Sequence, residues 1–355
     1  MTVRNINFGR QLLQTCLYAS AAFIFALAGA LPVFATPTFD EYNITSTYAS
    51  PNYIRSANGS LWYRERASGA SSDTLAKMNT SGTVVADYSL LDPQYANTRA
   101  LQLIAGSDGN IWFTGCALQK NSTSSVGVIG KFNTTTNALT TTPVSVGGCD
   151  ATSSLKGLTL GPDGNVWFSV RVVSDYYIFE INGSNVITQK AYGSGSIGYD
   201  LVTGSDGNLW TDVSQSGSSI VRKYTYNTTT GNLSGYTDYP ISFTPASNVV
   251  ATNGNIWFSR VGGNGAVERF DITNGSVTEY APPSAGDVVM ASGPDGAIWY
   301  TQFQSGKIGR ISTAGSITEY TIPTSSSSPV SITSGPDGAI WFTELTANKV
   351  GRLGY

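Results

Sequence analysis

The chain has 355 residues, of which only 12% are charged, and its formal net charge is −3 at pH 7. Nucleic acids and anionic membranes select proteins with a basic surface, so this composition argues against both as partners. The chain contains no histidine. This excludes Ser-His-Asp and Cys-His nucleophile activation, zinc sites with imidazole ligands, and pH switches that depend on imidazole.

The first residues have the pattern of an export signal. Two arginines precede an apolar stretch at 17–31, and small residues at 33–35 occupy the positions that a signal peptidase reads. We therefore predict a signal peptide over 1–35, a single domain over 36–355, and a secreted or cell-surface protein. The alternative is an uncleaved membrane anchor, although the apolar run is shorter than the roughly 20 residues that a span needs.

All seven tryptophans lie in one recurring phrase, in which an Asp-Gly or Asn-Gly turn is followed by a hydrophobic residue and then Trp. The phrase returns roughly every 40 to 55 residues, in segments rich in Val, Ile, Thr and Tyr. Such a period is typical of a β-propeller with one four-stranded blade per repeat. The chain is therefore predicted to be an all-β, seven-bladed propeller. The tryptophans are Trp62, Trp112, Trp167, Trp210, Trp257, Trp299 and Trp341.

The last full repeat defines the unit. A strand at 288–293 is followed by the turn Pro294-Asp295-Gly296 and a second strand at 297–302. Proline presets φ for this turn and glycine accepts a positive φ, which predicts a hairpin. Third and fourth strands follow at 307–312 and 316–323. We refer to these four strands of each blade as a, b, c and d.

The two ends of the repeat array are complementary. After Trp341 the sequence reaches its strand c and stops at Tyr355, whereas residues 39–44 resemble a strand d with no a, b or c before them. We expect the two segments to pair and close the ring, which removes the exposed sheet edges of an open toroid. Deleting residues 36–45 is then expected to destabilise the whole ring.

Two cysteines remain after the predicted signal peptide. Cys116 follows strand b of the second blade, and Cys149 lies in the link from its strand d to the next strand a. In an antiparallel blade these two connections emerge on the same face, so we predict a disulfide, worth roughly 3 to 4 kcal/mol on the chain-entropy estimate. A reactive or metal-binding thiol pair is the alternative, but no activating neighbour is visible.

Five phrases of the repeats have a shared spelling: GPDGAIWFTE (335–344), ANKVGRL (347–353), KIGRIS (307–312), SITEYTIPT (316–324) and SPVSITSGPDG (328–338). They resemble the virginiamycin B lyase family of seven-bladed propellers. The likeness is strongest over 265–355 and looser over 39–264. It implies a lyase that opens a cyclic lactone peptide antibiotic by elimination, with histidine, glutamate and a magnesium ion. The family's essential histidine stands in a Glu-Pro-His phrase, where this chain has Ser328-Pro329-Val330.

A valine cannot transfer a proton, so the family's acid-base chemistry does not carry over, and we predict no catalytic residues. The equivalent position one blade earlier reads Gly286-Asp287-Val288. The repeated Asp-Gly aspartates occur once per blade, too far apart to share a metal, and we assign them to turns. We therefore expect no metal site and no cofactor, with magnesium reserved for the lyase alternative.

Candidate binding residues come from the rim, by which we mean the b-to-c and d-to-a loops around the central opening. Alignment on the tryptophans shows two sets of rim positions that are chemically uneven, whereas a purely structural ring could repeat one residue type. Basic residues of strand c recur by repeat, so we interpret them as structural. The ligand-binding candidates are Glu65, Arg99, Lys156, Tyr199, Asp200, Arg260, Asp287, Gln302 and Glu344.

Three functional classes follow from this sequence. The preferred one is an exported, non-catalytic binding or scaffold propeller that recognises a peptide, a glycan or a surface protein at the rim. The second is an enzyme, a carbon-oxygen lyase of the virginiamycin B lyase type or a hydrolase, that uses carboxylates and a divalent ion on a cyclic peptide or lactone. The third is a self-assembling protein of the cell surface, which the low charge and the Ser/Thr-rich exterior would suit.

Overall fold

In the computed structural model, residues 36–44, 50–66, 72–149, 153–262 and 264–355 are described, and they fold into seven four-stranded antiparallel sheets. The predicted all-β, seven-bladed propeller is confirmed. The predicted signal peptide at 1–35 lies outside the described residues and stays a prediction. Among the described residues, no helix is long and apolar enough to cross a membrane.

The first four blades follow one another along the chain, and each contains strands a to d in order. Blade 1 contains β2 (Pro51–Ala57), β3 (Ser60–Glu65), β4 (Thr74–Met78) and β5 (Val84–Ser89). Blade 2 contains β6 (Tyr95–Ala105), β7 (Ile111–Gln119), β8 (Ser125–Phe132) and β9 (Leu139–Gly148). Blade 3 contains β10 (Ser153–Leu160), β11 (Val166–Val172), β12 (Asp175–Ile181) and β13 (Ile187–Ser194). Blade 4 contains β14 (Ser196–Thr203), β15 (Leu209–Gln215), β16 (Ser218–Asn227) and β17 (Asn232–Ile241).

The last three blades include the one that is built from both ends of the repeat array. Blade 5 contains β18 (Pro245–Thr252), β19 (Asn255–Arg260), β20 (Val267–Asp271) and β21 (Val277–Tyr280). Blade 6 contains β22 (Met290–Ser292), β23 (Ile298–Gln302), β24 (Lys307–Ile311) and β25 (Ile317–Thr321). Blade 7 contains β26 (Pro329–Ser334), β27 (Ile340–Glu344), β28 (Lys349–Gly354) and, as its fourth strand, β1 (Thr38–Asn43).

Strand β1 closes the ring, as the sequence predicted. It pairs with β28, and the Tyr42 ring stacks on Trp341 with 5.6 Å between centroids. Phe39 packs edge-on against Phe342, and an ion pair of 3.1 Å joins Arg352 to Asp40. Along the inner circle, each strand a contacts the strands a of both neighbouring blades, so the circle of seven is continuous.

The tryptophans hold neighbouring blades together. Trp341 packs with Ile54 and Leu61 of blade 1, and each of the other six likewise belongs to a buried cluster that includes side chains of the following blade. Burial of an indole between two sheets contributes a large apolar area. The repeated phrase therefore builds the interfaces between blades.

The aspartate of the turn has a structural role, as we predicted. In five blades its Oδ1 accepts a hydrogen bond from the indole N–H of the same phrase, for example 2.9 Å from Trp341 to Asp337. The first glycine of that phrase, Gly335, is required because a Cβ there would lie 2.2 Å from the indole Cδ1. Strand-c cations pair with the same carboxylates: Arg352 lies 2.7 Å from Asp337.

Candidate functional site

The strands a surround a central channel that contains a cavity of about 470 Å³ at its b-to-c end. Its walls come from six blades and combine apolar side chains with a few polar ones. The predicted site residues Lys156 and Asp200 both line it, together with the equivalent position Val330. A second cavity of about 530 Å³ continues towards the opposite end and shares Arg55 and Asp200 with the first. These two charged side chains therefore stand at the middle of the channel.

Arg55 occupies a position that is neutral in every other blade. The residue of strand a that pairs with the tryptophan of strand b lines the channel in all seven blades. Only blade 1 places a charge there. The seven residues are Arg55, Ile104, Thr159, Val202, Val250, Ala291 and Thr333.

The surroundings of Arg55 are unfavourable for a cation. Burial lowers the pKa of its guanidinium, and the negative charge of Asp200 partly opposes that shift. Nη1 donates a hydrogen bond of 2.7 Å to the carbonyl of Ile54. No carboxylate of the described residues forms a close ion pair with this guanidinium. The Arg55 side chain is half-buried in the channel wall, and enclosed charges are normally paired, so a guanidinium there without a close ion pair is unusual.

Asp200 is held by blades on both sides of its own position in the ring. Its Oδ1 accepts a hydrogen bond of 2.7 Å from Gln102 Nε2, and its Oδ2 accepts one of 3.1 Å from the backbone of Val249. Between blades 2 and 4 stands Gly157, where a Cβ would lie 2.4 Å from the backbone nitrogen of Leu201. Burial raises the pKa of Asp200 to about 6, while these hydrogen bonds and Arg55 act in the opposite direction.

Tyr53 shapes the mouth of the channel from blade 1. Its φ of 52° lies in the left-handed region, which an aromatic residue rarely adopts and which commonly marks a functional constraint. The register of β2 with β3 shifts between Asn52 and Arg55, so a bulge accommodates this residue. The guanidinium of Arg64 lies 4.8 Å from the centroid of the Tyr53 ring.

A cationic cavity of about 380 Å³ adjoins this mouth between blades 1 and 2. Its walls include Arg64, Arg66 and the predicted site residue Arg99, and it shares Leu101 with the channel. Arg64 is fixed by the carbonyl of Ala100 and lies 3.7 Å from Asp73. The Arg66 and Arg99 side chains are exposed. Positive charge is thus concentrated on one side of the rim.

The predicted disulfide between Cys116 and Cys149 is confirmed. Both residues line the cationic cavity, so the bond fixes one of its walls. The sequence placed Cys116 just after strand b, but β7 continues to Gln119, so Cys116 lies within that strand and pairs with Arg99 and Gly127. The bond therefore joins strand b of blade 2 to the link between blades 2 and 3.

Arg260 and Asp287 lie in a separate cavity of about 540 Å³ between blades 5 and 6. Arg260 is held by two carboxylates of its own blade, at 3.2 Å from Glu268 and 2.7 Å from Glu279. Asp287 exchanges hydrogen bonds with Gln304 on the neighbouring hairpin. The structure therefore places these two predicted site residues on the same face but outside the cavity that contains Lys156 and Asp200.

Glu65, Gln302 and Glu344, predicted as rim residues three positions after a tryptophan, are fully buried inside blades 1, 6 and 7. None of them lines the channel cavities. Gln302 donates hydrogen bonds to the carbonyl of Ser284 and to Glu319. The structure does not bring these three residues together, because each is enclosed within its own blade. The backbone of Tyr199 lies in β14, and its side chain is not described.

Glu344 stands beside a second carboxyl group. Burial raises its pKa to about 8, and the negative charge of Glu41 on β1 adds to that effect, whereas Lys349 opposes it. Lys349 Nζ lies 3.9 Å from Glu41 Oε1 and donates a hydrogen bond to Thr324. This group is the blade 7 counterpart of the Gln302, Lys307 and Glu319 cluster in blade 6.

The donor set does not fit the magnesium ion that the family implies. Among the described residues, no three carboxylate, cysteine or histidine side chains lie close enough to hold a metal. The pair Glu41 and Glu344 already faces the ammonium group of Lys349. Where the family phrase has glutamate and histidine, the structure has Ser328 and Val330, and Val330 forms part of the channel wall. We derive no chemical step through a metal.

Sequence reasoning missed Arg55, Gln102 and Tyr53. The alignment on tryptophans identified the start of each strand a, but bulges shift the register further along most of these strands. The signal that could have found Arg55 is composition, because the six equivalent residues are aliphatic, alanine or threonine. The short turn before Trp62 concealed that equivalence, because it changes the spacing along the chain between Arg55 and the tryptophan.

The structure is a closed seven-bladed β-propeller with a polar and chemically uneven central face, and in this class of protein the function depends on the site residues and not on the fold. The sequence model of the virginiamycin B lyase family matches residues 141–355. The chain therefore belongs to the virginiamycin B lyase family.

Solved structures give the same fold. A streptogramin B lyase is 25% identical, with a TM-score of 0.68 over 90% of this chain and 97% of that one. A catalytically inactive virginiamycin B lyase variant from Staphylococcus aureus, solved with quinupristin, is 22% identical, with a TM-score of 0.67 over 90% and 100%. A chain of the Mitotic Checkpoint Complex is 13% identical, with a TM-score of 0.60 over 100% and 99%. No curated protein sequence matches the chain.

Proposed function

We propose that this chain is a binding protein on the virginiamycin B lyase scaffold, which recognises a peptide through its rim and central channel. The observation that carries the proposal is Val330, which lies in the channel wall where the family phrase has its histidine. Because the whole chain lacks histidine, no other imidazole can replace it. The channel nevertheless contains fixed polar groups, Arg55, Gln102 and Asp200, set among apolar walls.

This combination is typical of a recognition site. A concave surface with a few oriented polar groups and apolar walls fixes the position of a ligand without chemistry. A virginiamycin B lyase variant was solved with quinupristin, and the family resemblance implies a cyclic lactone peptide as substrate. Both support a peptide as the ligand class here. Export through residues 1–35 belongs to the same proposal and places the ligand outside the cell.

The test uses the mature chain with quinupristin and excess magnesium, followed by mass spectrometry for the ring-opened product. We expect unchanged quinupristin, with the Staphylococcus aureus lyase as positive control. In parallel, the immobilised chain is used to select binders from a library of short peptides. A soluble copy of a selected peptide then serves as competitor, to show that the binding is specific. Ring opening by the chain would overturn the proposal, and so would a library that yields no peptide above background.

A further inference from the structure

Arg55 is a cation with no close ion-pair partner in the described part of the chain. Its guanidinium has one hydrogen bond, to the carbonyl of Ile54, and no carboxylate of the described residues forms a close ion pair with it. In each of the other six blades, a neutral residue at this position of strand a pairs with the tryptophan of strand b. The fold therefore does not need a charge here, which indicates a role for the guanidinium other than folding.

The nearest negative charge does not remove the need for a partner. Asp200 acts on Arg55 across the channel, but its two oxygens are engaged with Gln102 and Val249. The planar guanidinium has five N–H donors, and its preferred partner is a carboxylate that accepts two of them side by side. A carboxylate that enters the channel would supply this partner and offset the cost of holding a half-buried cation in a partly desolvated channel.

We propose that the channel binds the carboxylate of a ligand, with Arg55 as its anchor, and that this group is the carboxyl terminus of a peptide. The inference rests on the proposed function and names the part of the ligand that reaches deepest. A chain end is favoured because Arg55 lies at the middle of the channel. A peptide terminus that enters along the channel axis can reach this depth. Leu101, Leu155 and Val330 then line the path of the preceding residues.

The entrance is electrostatically suited to such a ligand. Arg64, Arg66 and Arg99 line the cavity that shares Leu101 with the channel, so an incoming anion meets positive charge before it reaches Arg55. Clustered charges of one sign raise the local concentration of an oppositely charged ligand and its association rate. The chain as a whole is slightly acidic, so this concentration of arginines is local.

The experiment compares two probes, N-acetyl-trialanine with a free carboxyl terminus and the same peptide as its amide, by isothermal titration calorimetry on the full chain. We expect the acid to bind at least tenfold more tightly than the amide. Arg55→Gln is expected to abolish this preference, and its folding is secure because the other blades are neutral at this position. Lys131→Gln, which removes an ion pair with Asp108 on the outer part of blade 2, is the matched control and is expected to keep the preference.

The outcomes separate this inference from the proposed function. Equal binding of acid and amide to the wild type, or a preference that survives in Arg55→Gln, overturns the inference but leaves a peptide-binding propeller. Failure of both probes to bind overturns the inference, while the library selection decides the proposed function independently. Binding of a uronic acid disaccharide that depends on Arg55, without binding of the peptide acid, would overturn the assignment to a peptide.

Discussion

Glu344 and Gln302 are equivalent residues in adjacent blades that experience opposite electrostatics. Gln302 donates a hydrogen bond of 3.0 Å to Glu319, whose pKa is held down to about 2 by hydrogen bonds from Ser284, Lys307 and Gln302 against the effect of burial. Glu344 instead brings a second carboxyl group next to Glu41, and its pKa rises to about 8. A single change of residue type therefore converts a satisfied cluster into a strained one.

We predict that Glu344→Gln stabilises the protein, and that the gain increases with pH. The pKa of Glu344 rises from 4.5 in the unfolded chain to about 8 in the fold. The carboxyl group is protonated in both states below pH 4.5, and as the pH rises from 4.5 to 8 the folded state loses stability, because only the unfolded state releases the proton readily. Thermal unfolding at pH 5 and pH 9 measures the gain, which we expect to be near zero at pH 5 and roughly 2 to 4 kcal/mol at pH 9.

The reverse substitution is the control for this prediction. Gln302→Glu places a carboxyl group beside Glu319 in blade 6 and is expected to lower the melting temperature, more at pH 9 than at pH 5. If Glu344→Gln changes stability equally at both pH values, the buried carboxyl group does not titrate between them, and blade 7 does not contain the electrostatic strain that we infer.

Among the structural elements, the disulfide joins β7 to the link between blades 2 and 3, beside the cationic cavity. It closes a loop with a sequence separation of 33 residues. We predict that the double variant Cys116→Ser/Cys149→Ser loses roughly 3 to 4 kcal/mol of stability, because the cross-link restricts the unfolded chain. Urea unfolding of the double variant and of the reduced wild type measures this loss. Agreement between the two is required, since a larger loss in the variant would indicate disrupted packing.

Strands b, c and d could be predicted from the sequence because each is tied to a turn or a tryptophan. The predicted segment at 307–312 is β24 (Lys307–Ile311), and 39–44 is β1 (Thr38–Asn43). Strand a was harder, because a bulge adds a residue without a composition signal. In strand c of blade 4, Lys223 faces Trp210, whereas its neighbour Arg222 forms an ion pair with the exposed Asp238.

The site was less predictable than the fold for a related reason. A repeat alignment assigns equivalent positions, but it does not say which way a side chain points. Glu344 and Lys156 are both near the rim in the alignment, yet one is enclosed within its blade and the other lines the channel. The direction of a side chain follows from the register of its strand, and that register is known only once the pairing of the strands is known.

At the scale of the whole molecule, the ring depends on β1, which comes from the other end of the repeat array. Tyr42 on β1 and Tyr320 on β25 occupy equivalent places, since each stacks on the tryptophan of its own blade at 5.6 and 5.7 Å. Tyr320 is joined to its blade by a short hairpin, whereas Tyr42 is joined only by hydrogen bonds and packing. The pair therefore offers a matched test of whether closure is part of the cooperative unit.

We predict that Tyr42→Ala and Tyr320→Ala lower the free energy of unfolding by similar amounts, about 2 to 4 kcal/mol each, in a single transition. Calorimetry gives both values, and hydrogen exchange on β14 to β17, opposite the closure, shows whether protection falls there as well. A closing strand that frays independently would leave the Tyr42→Ala transition unchanged and reduce protection only in blade 7. Equal losses would mean that the first and last strands of the array are as firmly joined as two strands of one hairpin.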